Sequence, residues 1–144
     1  MKDVQIRSLF RETDKYAGSE IVVRGWIRTN RGSNKFGFIE LNDGTTLKNL
    51  QIVYDKNTSN FEVATKVRTG AAIYVEGKII LTPTNKQPFE LLATNLTLVG
   101  EVTDDYPLQK KRHTFEYLRD IAALRPRANT FNATFRVRNA LTMA

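Results

Sequence analysis

Arg28–Leu41, RTNRGSNKFGFIEL, is the stretch on which the reading of this chain turns. A basic, glycine-bearing loop runs directly into a strand-like segment with phenylalanines at 36 and 38. Side chains alternate faces along a strand, so Phe36, Phe38 and Glu40 share one face while Gly37, Ile39 and Leu41 share the other. Alternation alone leaves open which face is the core. Glu40 argues for Ile39 and Leu41 inside, because an unpaired buried carboxylate is costly. Two aromatic rings then face water beside Arg28, Arg31 and Lys35. Exposed rings flanked by cations suit an unpaired base, whose π-face stacks on the ring while the cations take the phosphates.

The flanking segments supply a barrel around this hairpin. EIVVRGWIRTN (20–30) is rich in β-branched and aromatic residues and predicts a first strand with Val23, Gly25 and Ile27 inward. Residues 36–41 form the second, and NDG (42–44) signals a turn. LKNLQIVYD (47–55) predicts the third, with Leu50, Ile52 and Tyr54 on one face and Asn49, Gln51 and Val53 on the other. TSNFEVATKVRTG (58–70) has helical spacing, with Ser59 or Thr58 as cap and Gly70 as terminator. AAIYVEGKIILT (71–82) and FELLATNLTLVG (89–100) complete five strands, and residues 4–10 read as a short helical turn before them. Five strands with a helix between the third and fourth is the element order of an all-β OB-fold Greek-key barrel. Mid-strand glycines at 25 and 77 fit its strongly bent strands. In that fold nucleic acid lies across strands two and three. Phe38 and Gln51 fall there, and Gln51 carries both donor and acceptor for a base edge.

Composition excludes several classes. Hydrophobic residues make up 41% and charged residues 26% of the 144, a globular balance. There is no cysteine, hence no disulfide framework or thiolate metal site, and the single His113 in a basic run reads as solvated. No segment predicts an export signal or membrane span, so no membrane partner is expected and a cytoplasmic setting is. The net charge of +7 favours polyanions. Residues 104–144 hold 8 of the 22 basic residues against 4 of the 15 acidic ones, so the shorter part is the more basic.

The tail is not barrel. DDYPLQKKR reads as a hinge in which Pro107 bars a regular helix. Phe115, Leu118, Ile121 and Ala122 have helical spacing over 114–124, ended by Pro126. A second helix begins near Thr130 with Phe131, Phe135 and Leu141, and NALTMA holds no stop signal, which predicts a piece of a longer polypeptide. The expected organisation is a barrel over 1–103, a linker over 104–114, and the truncated start of a second domain over 115–144.

YPLQKKRHTFEYLRDIAALRPR closely resembles the segment joining the anticodon-binding and catalytic domains of asparaginyl-tRNA synthetases, and IVVRGWIRTNRGSNKFGFIELNDGT resembles the first strands of that family's N-terminal barrel. Ala123 and Ala128 depart from the pattern, which has His and Thr there. The resemblance implies roles. Phe38 would stack on the middle anticodon uridine and Gln51 would bond it. Arg31 would contact the anticodon from the loop, and Glu90 would meet a base edge. Arg28 and Lys35 join as neighbouring cations, and Asn49 as a further base contact. The whole class II enzyme would use ATP and Mg2+ to attach asparagine to tRNA-Asn as a homodimer. This chain would carry no catalytic residue, metal or cofactor of its own. The competing expectation is a free-standing OB module that binds single-stranded nucleic acid without sequence preference.

Overall fold

In a computed structural model, which describes residues 1–85 and 87–144, the barrel is built on one long bent strand. A short strand β1 (Lys2–Asp3) runs parallel to the start of β2 (Glu20–Gly32), and helices α1 (Ile6–Arg11) and α2 (Thr13–Tyr16) lie between them. Strands β3 (Phe36–Asn42) and β4 (Leu50–Asp55) follow, then α3 (Phe61–Lys66), β5 (Ala72–Leu81) and β6 (Phe89–Gly100). The sheet order is β1-β2-β3-β4-β6-β5, and β2 also pairs with β5, so the five longer strands close on themselves. Its first half pairs with β5 and its second with β3, which requires the strand to bend between the two partners. Among the described residues these strands pair antiparallel except for β1–β2 and the short β4–β6 contact at Ile52–Leu91 and Val53–Leu92.

Alternation decides the core as the Glu40 argument required. Ile39, Leu41, Leu50, Ile52 and Tyr54 are fully buried, together with Ile21, Val23, Ile27, Ile73, Val75, Ile79, Phe89 and Leu91. Each such side chain contributes roughly 1.5–3 kcal/mol of burial. Val4, Ile6, Leu9 and Tyr16 enter the same core, which ties the N-terminal segment to the barrel.

Tyr54 organises the β2–β3 hairpin. Its ring lies over Gly32 and Gly37, and a β-carbon on either glycine would collide with it. Its hydroxyl donates to Asn30 Oδ1 at 3.0 Å. Asn30 Nδ2 in turn donates to the carbonyls of Ala64 and Val67 at 2.9 and 3.0 Å. Burial raises the Tyr54 phenol above its ordinary pKa, with the Asn30 bond opposing.

Several boundaries differ from those the sequence predicts. The third strand begins at Leu50, not Leu47, because Asn42 Nδ2 bonds the carbonyls of Thr46 and Lys48 and Asn49 Oδ1, holding 46–49 as a loop. The helix over 58–70 shrinks to α3. Thr58 is not its cap: Thr58 Oγ1 is buried, donating to Ala93 O and accepting from Asp55 N. Ser59 is drawn into a bridge with Asn95, and Asn60 turns the chain at φ +63°. At the other end Val67 is extended, with Asn30 on its carbonyl. Gly70 (φ +93°) serves the turn into β5.

The tail helices are α4 (Phe115–Asp120), capped by Thr114 Oγ1 accepting from Tyr117 N, and α5 (Asn129–Met143). The helix predicted to reach Leu124 stops at Asp120 and gives way to tight turns and a 3-10 turn at Arg125–Arg127, ahead of the proline expected to end it. The linker between barrel and α4 has no helix or strand, but it is fastened. The Tyr106 ring covers Gly70, and Arg68 pairs with Asp104. The Arg127 guanidinium sits 4.8 Å from the Trp26 ring centroid. Arg136 donates to Gly44 O.

Candidate nucleic-acid interface

The outer surface of β2–β6 opposite the core carries two rows of side chains running across the strands. In the first, register aligns Arg31 with Phe38, Phe38 with Val53, Val53 with Leu92, and Leu92 with Lys78. A ring and two aliphatic side chains thus form a shelf with a cation at each end. Phe36 is 49% exposed and meets Phe38 edge to face, centroids 5.7 Å apart. This T-shaped contact fixes the Phe38 ring from one side. Lys35 lies exposed in the hairpin turn beside it.

The second row is polar. Glu40 is aligned with Gln51, and Glu90 with Ile80. Gln51 Nε2 donates to Glu90 Oε1 at 2.7 Å, and Asn85 Nδ2 reaches the same oxygen at 3.5 Å. Asn49 Nδ2 donates to Glu40 Oε2 at 3.2 Å, while Asn49 Oδ1 accepts from Asn42 Nδ2. Phe10, Lys48, Gln87 and Pro88 complete a groove of about 530 Å³ above these groups. Lys48 is held over the Phe10 ring with Nζ 4.9 Å from its centroid. The Gln87 amide nitrogen is buried without a hydrogen-bond partner among the described residues.

Of the residues singled out from the sequence, Phe38, Gln51, Glu90, Asn49 and Arg31 lie on this one surface. Arg28 is placed differently from a free loop cation. It is half-buried in the seam with the tail, donating to Arg127 O and, at 3.3 Å, to Asn129 Oδ1. Burial lowers its pKa from the ordinary arginine value; Tyr106 and Glu40 oppose this and Arg127 adds to it. A second cavity of about 620 Å³ opens there, between Trp26, Arg28 and Thr29 of the barrel and Lys110, Lys111 and Arg127 of the tail. Glu40 and Asn49 line both cavities, so the two meet at that pair. Sequence reasoning did not reach Leu92, Lys78, Lys48 or Gln87. Leu92 and Lys78 were visible as outward positions of alternating strands, but their alignment with Phe38 depends on the parallel β4–β6 pairing. Nothing local marks Gln87.

Residues 21–99, from the start of β2 nearly to the end of β6, match the family described as OB-fold nucleic acid binding domain. The chain belongs to that family. This OB domain with its tail is 58% identical over 145 residues to the asparagine–tRNA ligase of Acetivibrio thermocellus and 54% identical over 144 to that of Alkaliphilus oremlandii. Both alignments take in the whole chain, which spans 31% of the length of each relative. Its backbone superposes on asparaginyl-tRNA synthetase from Pyrococcus horikoshii, complexed with asparaginyl-adenylate, at a TM-score of 0.84 and 23% identity. That likeness covers 99% of this chain and 33% of the other, and it extends the fold agreement through the tail helices. Among the described residues no helix is long and apolar enough to cross a membrane.

Proposed function

We propose that this chain is the anticodon-reading part of an asparagine–tRNA ligase, with the OB domain over 1–103 joined by a linker at 104–114 to the start of the catalytic domain at 115–144. The observation that carries this reading is the single outward face on which Phe38, Gln51 and Glu90 stand together with Arg31, in a chain more than half identical along its whole length to such ligases. An unpaired pyrimidine laid on Phe38 places its edge toward the amide of Gln51. Arg31, Lys35 and Lys78 surround the shelf with positive charge for the phosphates. Stacking supplies affinity without regard to sequence, and the polar row supplies the choice of base.

The substrate class is tRNA-Asn, and the setting is the cytoplasm. In the complete enzyme, ATP and Mg2+ would drive activation of asparagine, and two copies would associate. The groups for that chemistry are assigned to the remainder of the polypeptide. The chain alone is expected to give no asparagine-dependent ATP–pyrophosphate exchange.

The discriminating experiment is equilibrium binding of the chain to a labelled RNA hairpin whose loop carries the anticodon GUU. The expected result is tighter binding than to the same hairpin with its middle uridine changed. Equal affinity for both hairpins and for an arbitrary single strand, all steeply salt-dependent, would instead establish a non-specific single-strand binder.

A further inference from the structure

Within that reading, we infer that Glu90 is a positioning residue that sets the orientation of the Gln51 side-chain amide, and through it the choice of uracil over cytosine. A glutamine amide can turn over, exchanging its oxygen for its nitrogen at nearly the same place, and only its hydrogen bonds decide which way it lies. A carboxylate accepts and does not donate. Gln51 Nε2 lies 2.7 Å from Glu90 Oε1 across the β4–β6 junction, so the nitrogen must face Glu90. The reversed amide would set oxygen against oxygen. Asn85 Nδ2 at 3.5 Å steadies the same carboxylate oxygen from the β5–β6 loop.

With one N–H given to Glu90, the amide keeps one N–H and an oxygen that has no donor among the described residues. That pair is complementary to the edge of uracil, which offers a carbonyl acceptor beside an N3–H donor. With the base held in one place by its stack on Phe38, the same pair is mismatched to cytosine, which presents an amino donor where uracil has O4 and the N3 acceptor where uracil has N3–H. Reversal of the amide would exchange these preferences. A second lock of the same kind stands beside it, where Glu40 holds Asn49 Nδ2 and so turns Asn49 Oδ1 to Asn42. Glu90 thereby acts through Gln51, and the two residues form one reading unit although 39 positions separate them.

The test is the ratio of dissociation constants for two hairpins differing only in the middle loop base, U or C, measured with the chain and with its Glu90→Gln, Gln51→Ala and doubly substituted variants. Glu90→Gln removes a negative charge, which changes affinity for both hairpins alike and cancels in the ratio. The unsubstituted chain is expected to prefer U by about tenfold or more, the scale of one well-made base-edge contact. Glu90→Gln, whose own amide accepts Gln51 in either orientation, is expected to bring the ratio to within about twofold, chiefly by tighter binding of the C hairpin. In the Gln51→Ala background Glu90→Gln is expected to leave the ratio unchanged. Retention of the full preference by Glu90→Gln would overturn the inference and leave the anticodon reading standing, as would an equal loss on both hairpins. No preference in the unsubstituted chain would overturn both.

Discussion

On the proposed reading, Phe38 and Gln51 would meet a base in two different ways. Phe38 is held by its strand and by the Phe36 edge, so its face is available whatever base arrives. Removing it is a loss of stacking area from a partly buried position on the outer face, not a hole in the core. Phe38→Ala is therefore expected to weaken binding of the GUU hairpin by about 1–3 kcal/mol while the thermal melting of the chain stays nearly unchanged. A collapse of the melting transition instead would show the ring to be structural. Alternation around Glu40 places Phe38 on the outer face, where the structure has it. The orientation of the Gln51 amide was beyond such reasoning, because Glu90 reaches it from a strand that pairs in parallel, and a parallel pairing leaves no turn in the sequence to announce its register.

At the scale of elements, local chemistry wrote the strands and long-range hydrogen bonds wrote the helices and loops. The strands were legible because period-2 burial repeats along each of them; β6 has the expected limits of 89–100. The helix α3 was predicted too long because its end is set by Asn30, more than 30 residues earlier, whose amide takes the carbonyls of Ala64 and Val67. The same asparagine accepts from Tyr54, whose ring lies over Gly32 and Gly37 at the base of the hairpin bearing Phe36 and Phe38. One side chain thus joins α3 to the hairpin that carries Phe36 and Phe38. Asn30→Ala would leave a buried phenol donor and two carbonyls to find other partners. Unfolding in urea is expected to show a loss of about 1–3 kcal/mol. Tyr54→Phe, which removes the donor and leaves Asn30 with its two carbonyls, is expected to cost less, about 0.5–1.5 kcal/mol. Equal stability of the Asn30 variant and the parent chain would remove this residue from the account of the hairpin.

Across the whole molecule the question is whether barrel and tail move as one body. The proline and charges of the linker predict a hinge, and its backbone holds no helix or strand. Composition could not show the fastenings, since each depends on a residue of the barrel far away in sequence. Gly70, with φ +93° and no side chain, lets the Tyr106 ring lie flat against the turn before β5. The Tyr106 hydroxyl accepts from Arg127 Nη1 at 3.4 Å, and Arg127 in turn covers Trp26 and offers its carbonyl to Arg28. Tyr106 therefore touches both the barrel and the turn leading into α5. The fastening also runs to the outer face that carries Phe38 and Gln51, because Arg28 precedes Thr29, whose register partner is Glu40, the holder of Asn49. Removing the ring should free the linker without opening the core, to which Tyr106 contributes nothing. In Tyr106→Ala, trypsin is expected to cut after Lys110, Lys111 or Arg112 several times faster than in the parent chain, with the barrel's melting temperature little changed. Cleavage occurs from the open form of a segment, so its rate follows the population that opens when reclosing is fast. Unchanged cleavage would mean that Arg68–Asp104 and Arg136–Gly44 hold the tail without the tyrosine; faster cleavage together with a lowered melting temperature would mean that the seam is part of the barrel's own stability.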